Sequence, residues 1–238
     1  MPPSESSTPP DPVTSLDDPR AVQILSTEHW SLLSARSLAY NEAFVRAGMF
    51  LTFLSMSFVA LALVAQAMAF GPDFLAVAAL VLAFDLVVGL TTFMRMNGAN
   101  LDDLRANHGM ARIRHAYTQI TPIVTPYFTT PIHDDIDAVT AVYGHIPEGL
   151  WGQIGYGLST SSGMIGLILA MVGGVLTAVV AMLFGLSSGA SMWIGVVGGV
   201  IVVAGLFVYA FVTIPREQAR LTALFPTPGS DAVADLKA

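Results

Sequence analysis

Not one of the 238 residues is cysteine, so disulfides, thiolate nucleophiles and sulfur-ligated metal clusters are excluded. Charge is scarce too, at 11% of residues against roughly 25% in an average soluble domain. The 10 basic residues are outnumbered by 17 acidic ones, and a net charge of -7 offers no basic field to a nucleic-acid backbone. The first 19 residues hold neither Lys or Arg nor an apolar core, and do not read as a cleavable signal peptide.

What is abundant is apolar sequence, 54% of the chain. Residues 47–72 form an uncharged run of 26, and about 20 suffice for a helix to cross the hydrocarbon core of a bilayer. A second run, 74–94, is interrupted only by Asp85, and Gly71-Pro72-Asp73 between the two reads as a tight turn. The 67 residues between Glu148 and Arg216 carry no charge. That is too long for one helix, and Ser187-Ser188-Gly189 divides it into spans at about 162–184 and 192–214, with Pro215 closing the last. The expected fold is all-α: a polytopic membrane protein of four transmembrane helices in two hairpins, with a small helical cytoplasmic insert.

All ten basic residues fall on one side of these spans, and basic loops resist translocation. Both termini are therefore expected in the cytoplasm and the protein in the cell (inner) membrane, with span one as its own insertion signal. Trp193 and Tyr209 suit the interfacial belts. The expected organisation is a disordered tail at 1–18, a cytoplasmic amphipathic helix at 19–46 and a first hairpin at 47–95. An insert and linker at 96–158, a second hairpin at 159–215 and a C-terminal tail at 216–238 complete it. Asp18-Pro19 reads as an N-cap and first helical residue. The helix that follows gathers Trp30, Leu33, Tyr40 and Phe44 on one face, and its mixed charges favour packing against a helix over lying on lipid.

The insert is expected to contain a helix at 101–120 and a shorter one at 132–143, with Pro122, Pro126 and Pro131 between them. The first aligns Arg105, His108, Arg112 and His115, candidates for an anion or a partner, or else for pairing with acids. The second opens with Asp134, Asp135 and Asp137, which suit the positive end of a helix dipole. His133, Asp134 and Asp137, with His108, His115 or His145, have ligand chemistry but no metal-site spacing, so no metal or other cofactor is expected. Gly152, Gly155 and Gly157 read as a flexible approach to span three, because no strand precedes them and no Gly-Lys-Ser/Thr follows. Ala170 and Gly174, then Gly195 and Gly199, put small residues four apart for close helix packing, within one chain or between copies.

Asp85 is the sharpest feature, because an acid at mid-span is costly and seldom faces lipid. It shares a helix face with Ala78, Val81, Gly89 and Thr92, opposite a stripe of Thr52, Ser55, Ala62 and Gln66 in span one. No basic residue lies at that depth. Asp85 is expected either to be protonated and hydrogen-bonded, with Ser55 the best-matched partner, or to line a wet cavity in an oligomer. Thr92 and Gln66 complete the intramembrane candidates.

The run Arg112-Ile-Arg114-His115-Ala-Tyr117, with Pro126-Tyr127-Phe128 and His133-Asp134-Asp135, resembles a group of uncharacterised actinobacterial integral membrane proteins of similar length and hydropathy. The resemblance implies four spans and brings no known activity with it. The expected function is a non-enzymatic scaffold, sensor or assembly module, bound to the lipid bilayer as a homo-oligomer or with a membrane-protein partner. The alternatives are an oligomeric ion or proton pathway using Asp85, and a membrane enzyme with a His/Asp site in the insert.

Overall fold

The computed structural model describes residues 15–144 and 149–229. Six α-helices occur among them, and no strand. They are α1 (Pro19–Met68), α2 (Pro72–Ile120), α3 (Ile136–Thr140), α4 (Leu150–Ser159), α5 (Ser161–Leu183) and α6 (Ser188–Gln218). Four of these, α1, α2, α5 and α6, are long and apolar enough to cross a membrane.

Two of the spans are longer than their apolar runs. The amphipathic helix and span one form the single 50-residue α1, and span two continues into the insert as the 49-residue α2. The reason is the absence of breakers: α1 contains only Gly48 after its initial proline, and α2 runs unbroken to the Thr121-Pro122 stop. Asp18 does cap α1, its carboxylate accepting the Arg20 N–H at 2.8 Å. The turn to α2 places Ala69 and Phe70 in the left-handed region, at φ 50° and 57°.

Four other expectations are corrected. Residues 150–159, read as flexible, form α4, and the expected helix at 132–143 is reduced to α3 with a following 3₁₀ turn. Pro215 does not close the last helix, which runs one turn further to Gln218. Its missing N–H costs one backbone bond, while Glu217 in that added turn is tied to Arg105. The break between α5 and α6 falls earlier than Ser187: Gly185 takes φ 81°, Leu186 N–H closes onto the Ala181 carbonyl, and Ser187 caps α6.

The chain divides into two compact units. The larger, residues 35–105 and 143–222, is a four-helix bundle. Its α1 and α2 pair antiparallel in steady register, with Arg36 on Asp103, Glu42 on Arg95 and Ser57 on Asp85. Both helices bury one seam at spacings of three and four: Ala43, Ala47, Phe50, Leu54, Ser57, Leu61 and Ala65 in α1, and Ala78, Leu82, Asp85, Gly89, Phe93, Met96 and Ala99 in α2. Gly89 is where the α2 backbone comes close to Phe50 and Leu169. The opposite faces remain apolar and exposed, as at Met49, Leu63 and Leu80, which suits lipid.

In the same unit α5 and α6 meet backbone to backbone. A Cβ built on Gly174 would stand 2.8 Å from the Gly195 carbonyl oxygen, and one on Gly199 would stand 3.0 Å from that of Ala170. The small residues at 170, 174, 195 and 199 are thus used inside one chain.

The smaller unit comprises residues 15–34, 106–142 and 223–229. Here Leu32 of α1 packs over Gly109 of α2. The helix face turned inward matches the expected one only in part: Leu33 is half-buried, but Trp30 is 64% exposed, and Ala21, buried, and Leu25 and Leu32, half-buried, share that face instead. In the larger unit Phe44 is likewise exposed, since the seam through Ala43 and Ala47 lets α2 approach where bulk would hold it off.

Candidate functional site

In the larger unit, Asp85 lies at the middle of the α2 seam and is 0% exposed. Its Oδ1 accepts a hydrogen bond from Ser57 Oγ at 3.0 Å, and its Oδ2 has no partner. The partner is therefore Ser57 rather than Ser55, which is exposed and donates to the Leu51 carbonyl of its own helix. The whole expected stripe of Thr52, Ser55, Ala62 and Gln66 is exposed. Thr92 is buried but donates to the Val88 carbonyl, one turn back in α2. The available signal was the spacing itself: Ser57 is the one polar residue in an otherwise apolar seam of α1.

Farther along the same seam, Asp103 is 1% exposed, ion-paired with Arg36 and hydrogen-bonded by the Tyr143 hydroxyl at 2.6 Å. It was not singled out from the sequence, although it continues the 85, 89, 92, 96, 99 progression. Arg105, one of the four anion candidates, is occupied by Asp102 and Glu217. The hydrogen bond from Arg105 is the main reason that the Glu217 carboxyl is held below its ordinary range.

In the smaller unit the other three candidates surround one acid. Asp134 is 1% exposed. Its Oδ2 accepts from Arg112 Nε at 2.7 Å and from the Leu224 N–H at 2.9 Å, and its Oδ1 accepts from the Phe225 N–H at 2.7 Å. His108 Nε2 stands 3.7 Å from Oδ2. Asp134 also donates its own N–H to the Phe225 carbonyl, which His133 Nδ1 approaches at 3.2 Å. The His115 ring stacks on Phe225 with centroids 4.1 Å apart. Next in sequence, Asp135 accepts from the Thr227 N–H and hydroxyl at 2.8 and 2.7 Å, and from the Ala138 N–H as the cap of α3.

Asp134 thus does not serve a helix dipole, as expected of it; it holds a distant segment of chain. Within the expected C-terminal tail, the chain is clasped as far as Thr227, while residues 230–238 lie outside the described residues. Burial by itself would push the Asp134 carboxyl up. The Leu224 N–H, the Arg112 guanidinium and the Phe225 N–H outweigh it, so the group sits below the usual carboxylate range. Asp135 is lowered in the same way, burial being outweighed first by the Thr227 hydroxyl.

The chemistry left to these groups is limited. A carboxylate already accepting three hydrogen bonds, one from a guanidinium, has little capacity to bind a metal or to act as a base. Among the described residues, no group of three or more His, Asp or Glu is placed to hold a metal ion. His145 lies outside them. No protein-family model, curated protein or solved structure matches the chain.

Proposed function

We propose that the protein is a non-enzymatic membrane scaffold or sensor, set in the cell membrane with both termini and the insert in the cytoplasm. The observation that carries this is the Asp134 clasp. Its buried carboxylate joins Arg112 of α2 to residues 224–225, and so commits one of the anion-binding candidates to holding the chain together. A module that works by presenting a held surface needs such a clasp, whereas an enzyme needs free ligands and bases. The test is the state of the purified full chain in lipid nanodiscs and in native membranes. A fixed stoichiometric assembly, with itself or with one partner, that Asp134→Ala dissolves while the spans stay folded supports the reading. A strictly solitary chain in both settings counts against it.

The orientation rests on the one-sided basic residues. Since the chain has no cysteine, single cysteines can be placed at the exposed Asp73, Ser188 and Gln119. An impermeant reagent added to intact cells is expected to label the first two, and to label Gln119→Cys only after permeabilisation. The reverse pattern would invert the topology.

A second reading, a proton pathway, is favoured by the unpartnered Oδ2 of Asp85. Asp85→Asn keeps an acceptor for Ser57 but removes titration. If the pathway is real, vesicles with the parent protein pass protons down an imposed gradient and the folded Asn variant does not. If the acid is structural, neither does.

A further inference from the structure

The sequence of α4, Leu-Trp-Gly-Gln-Ile-Gly-Tyr-Gly-Leu-Ser, carries no charge. At 100° per residue, Trp151, Ile154 and Leu158 fall on one side of it. On that side Trp151 is 84% exposed and Leu158 38%, while Ile154 is half-buried. Three glycines leave the remainder of the helix slim, and two close approaches fix its last turn. A Cβ on Gly157 would meet the Phe207 ring of α6 at 3.4 Å, and one on Gly163 of α5 would collide with the Gly157 carbonyl. Thr160, extended at ψ 157°, makes the bend between α4 and α5. The last turn of α4 therefore lies beside the first turn of α5 and against α6.

These contacts set a depth. The 23 residues of α5 rise about 34 Å, close to the ~30 Å of a hydrocarbon core, so the first turn of α5, with the end of α4 beside it, stands at one edge of that core. A helix whose last turn is held at that level, with the indole of Trp151 and the side chain of Leu158 turned outward, stands where hydrocarbon gives way to headgroups, the zone that tryptophan prefers.

We propose that α4 is a membrane-interface helix, its Trp151, Ile154 and Leu158 side seated on the bilayer at the boundary between headgroups and acyl chains. The partner is lipid of any headgroup charge. With no Lys or Arg on α4, its seating comes from buried apolar area and not from attraction to anionic lipid. It also ties the end of the insert to the membrane just before α5.

The chain has three tryptophans, so Trp30→Phe with Trp193→Phe leaves Trp151 as the sole reporter. The full-length variant is reconstituted in phosphatidylcholine vesicles brominated at a shallow or at a deep acyl position, with and without anionic lipid. Shallow bromines are expected to quench about twofold more than deep ones, with acrylamide a weak quencher and anionic lipid without effect. If the double variant does not fold, Trp151→Cys in the otherwise native chain, spin-labelled, reports the same depth through oxygen against aqueous nickel-complex accessibility. Strong acrylamide quenching without bromine quenching would place α4 in water and overturn the proposal. Bromine quenching that appears only on dilution of protein in lipid would mean that a second copy covers the face, and would overturn it too.

Discussion

Asp134→Ala is expected to free residues 223–229 from the smaller unit, raising amide exchange at Leu224 and Phe225 roughly a hundredfold while the spans keep their protection. The substitution removes the acceptor of both N–H groups and leaves Arg112, one third exposed, without its carboxylate. Breaking a buried ion pair from one side costs about 3–5 kcal/mol. The partial exposure of Arg112 puts this instance near the lower figure. Adding Arg112→Met should recover part of the loss, since a cation that has lost its buried carboxylate is then gone, although the two N–H groups still lack their acceptor. Unchanged protection at Leu224 and Phe225 would show that the clasp does not hold the segment.

The same site has a pH signature. Asp134 and Asp135 both sit below their ordinary range when folded. The stability they contribute is therefore complete above the unfolded value of about 3.9 and is lost as pH falls through the lower folded values. Protection of 223–229 is expected to stay flat from neutrality to about pH 5 and to fall only below about pH 4. Loss between pH 7 and 6 would show that these two carboxylates do not control the hold on the segment.

Gly174→Leu is expected to unseat α6 from α5. At this contact the obstructing atom is the Gly195 carbonyl oxygen, 2.8 Å from any added Cβ, and a backbone oxygen in a helix cannot swing aside. Even Gly174→Ala should lose about 1–3 kcal/mol, with leucine beyond that range. Gly199→Leu, whose Cβ meets Ala170 O at 3.0 Å, is expected to cost less than Gly174→Leu. Gly205 in the same helix has nothing within 4 Å and provides the control: Gly205→Leu should leave thermal unfolding in detergent unchanged. Because the contact is internal to one chain, the loss should appear as a lower unfolding temperature and not as a smaller particle. A Gly174→Leu chain as stable as the parent would refute the close approach.

How far the sequence could be read follows from which interactions are local. Four spans and the turn at Gly71-Pro72 were legible because membrane length, the absence of charge and turn residues are properties of contiguous residues. The cap at Asp18 was legible for the same reason. The mid-span acid could be singled out, but not its partner. Ser55 and Ser57 are both close in depth, and only the rotation of α1 about its axis, set by Ala43, Ala47 and Phe50 meeting α2, decides between them. The anion-like face of Arg105, His108, Arg112 and His115 was visible as a pattern. That it is matched by Glu217 and Asp134 was not, because those acids are 112 and 22 residues from Arg105 and Arg112.

By itself the sequence determined an all-helical fold with four helices able to span a membrane and one acid at the middle of a span. Tertiary structure alone decided that Ser57 faces Asp85, that the glycines of α5 and α6 are spent on each other, and that Asp134 clasps residues 224–225. Hydropathy adds up along the chain, whereas a hydrogen bond or a backbone contact depends on the rotation and register of two helices, which only their packing sets.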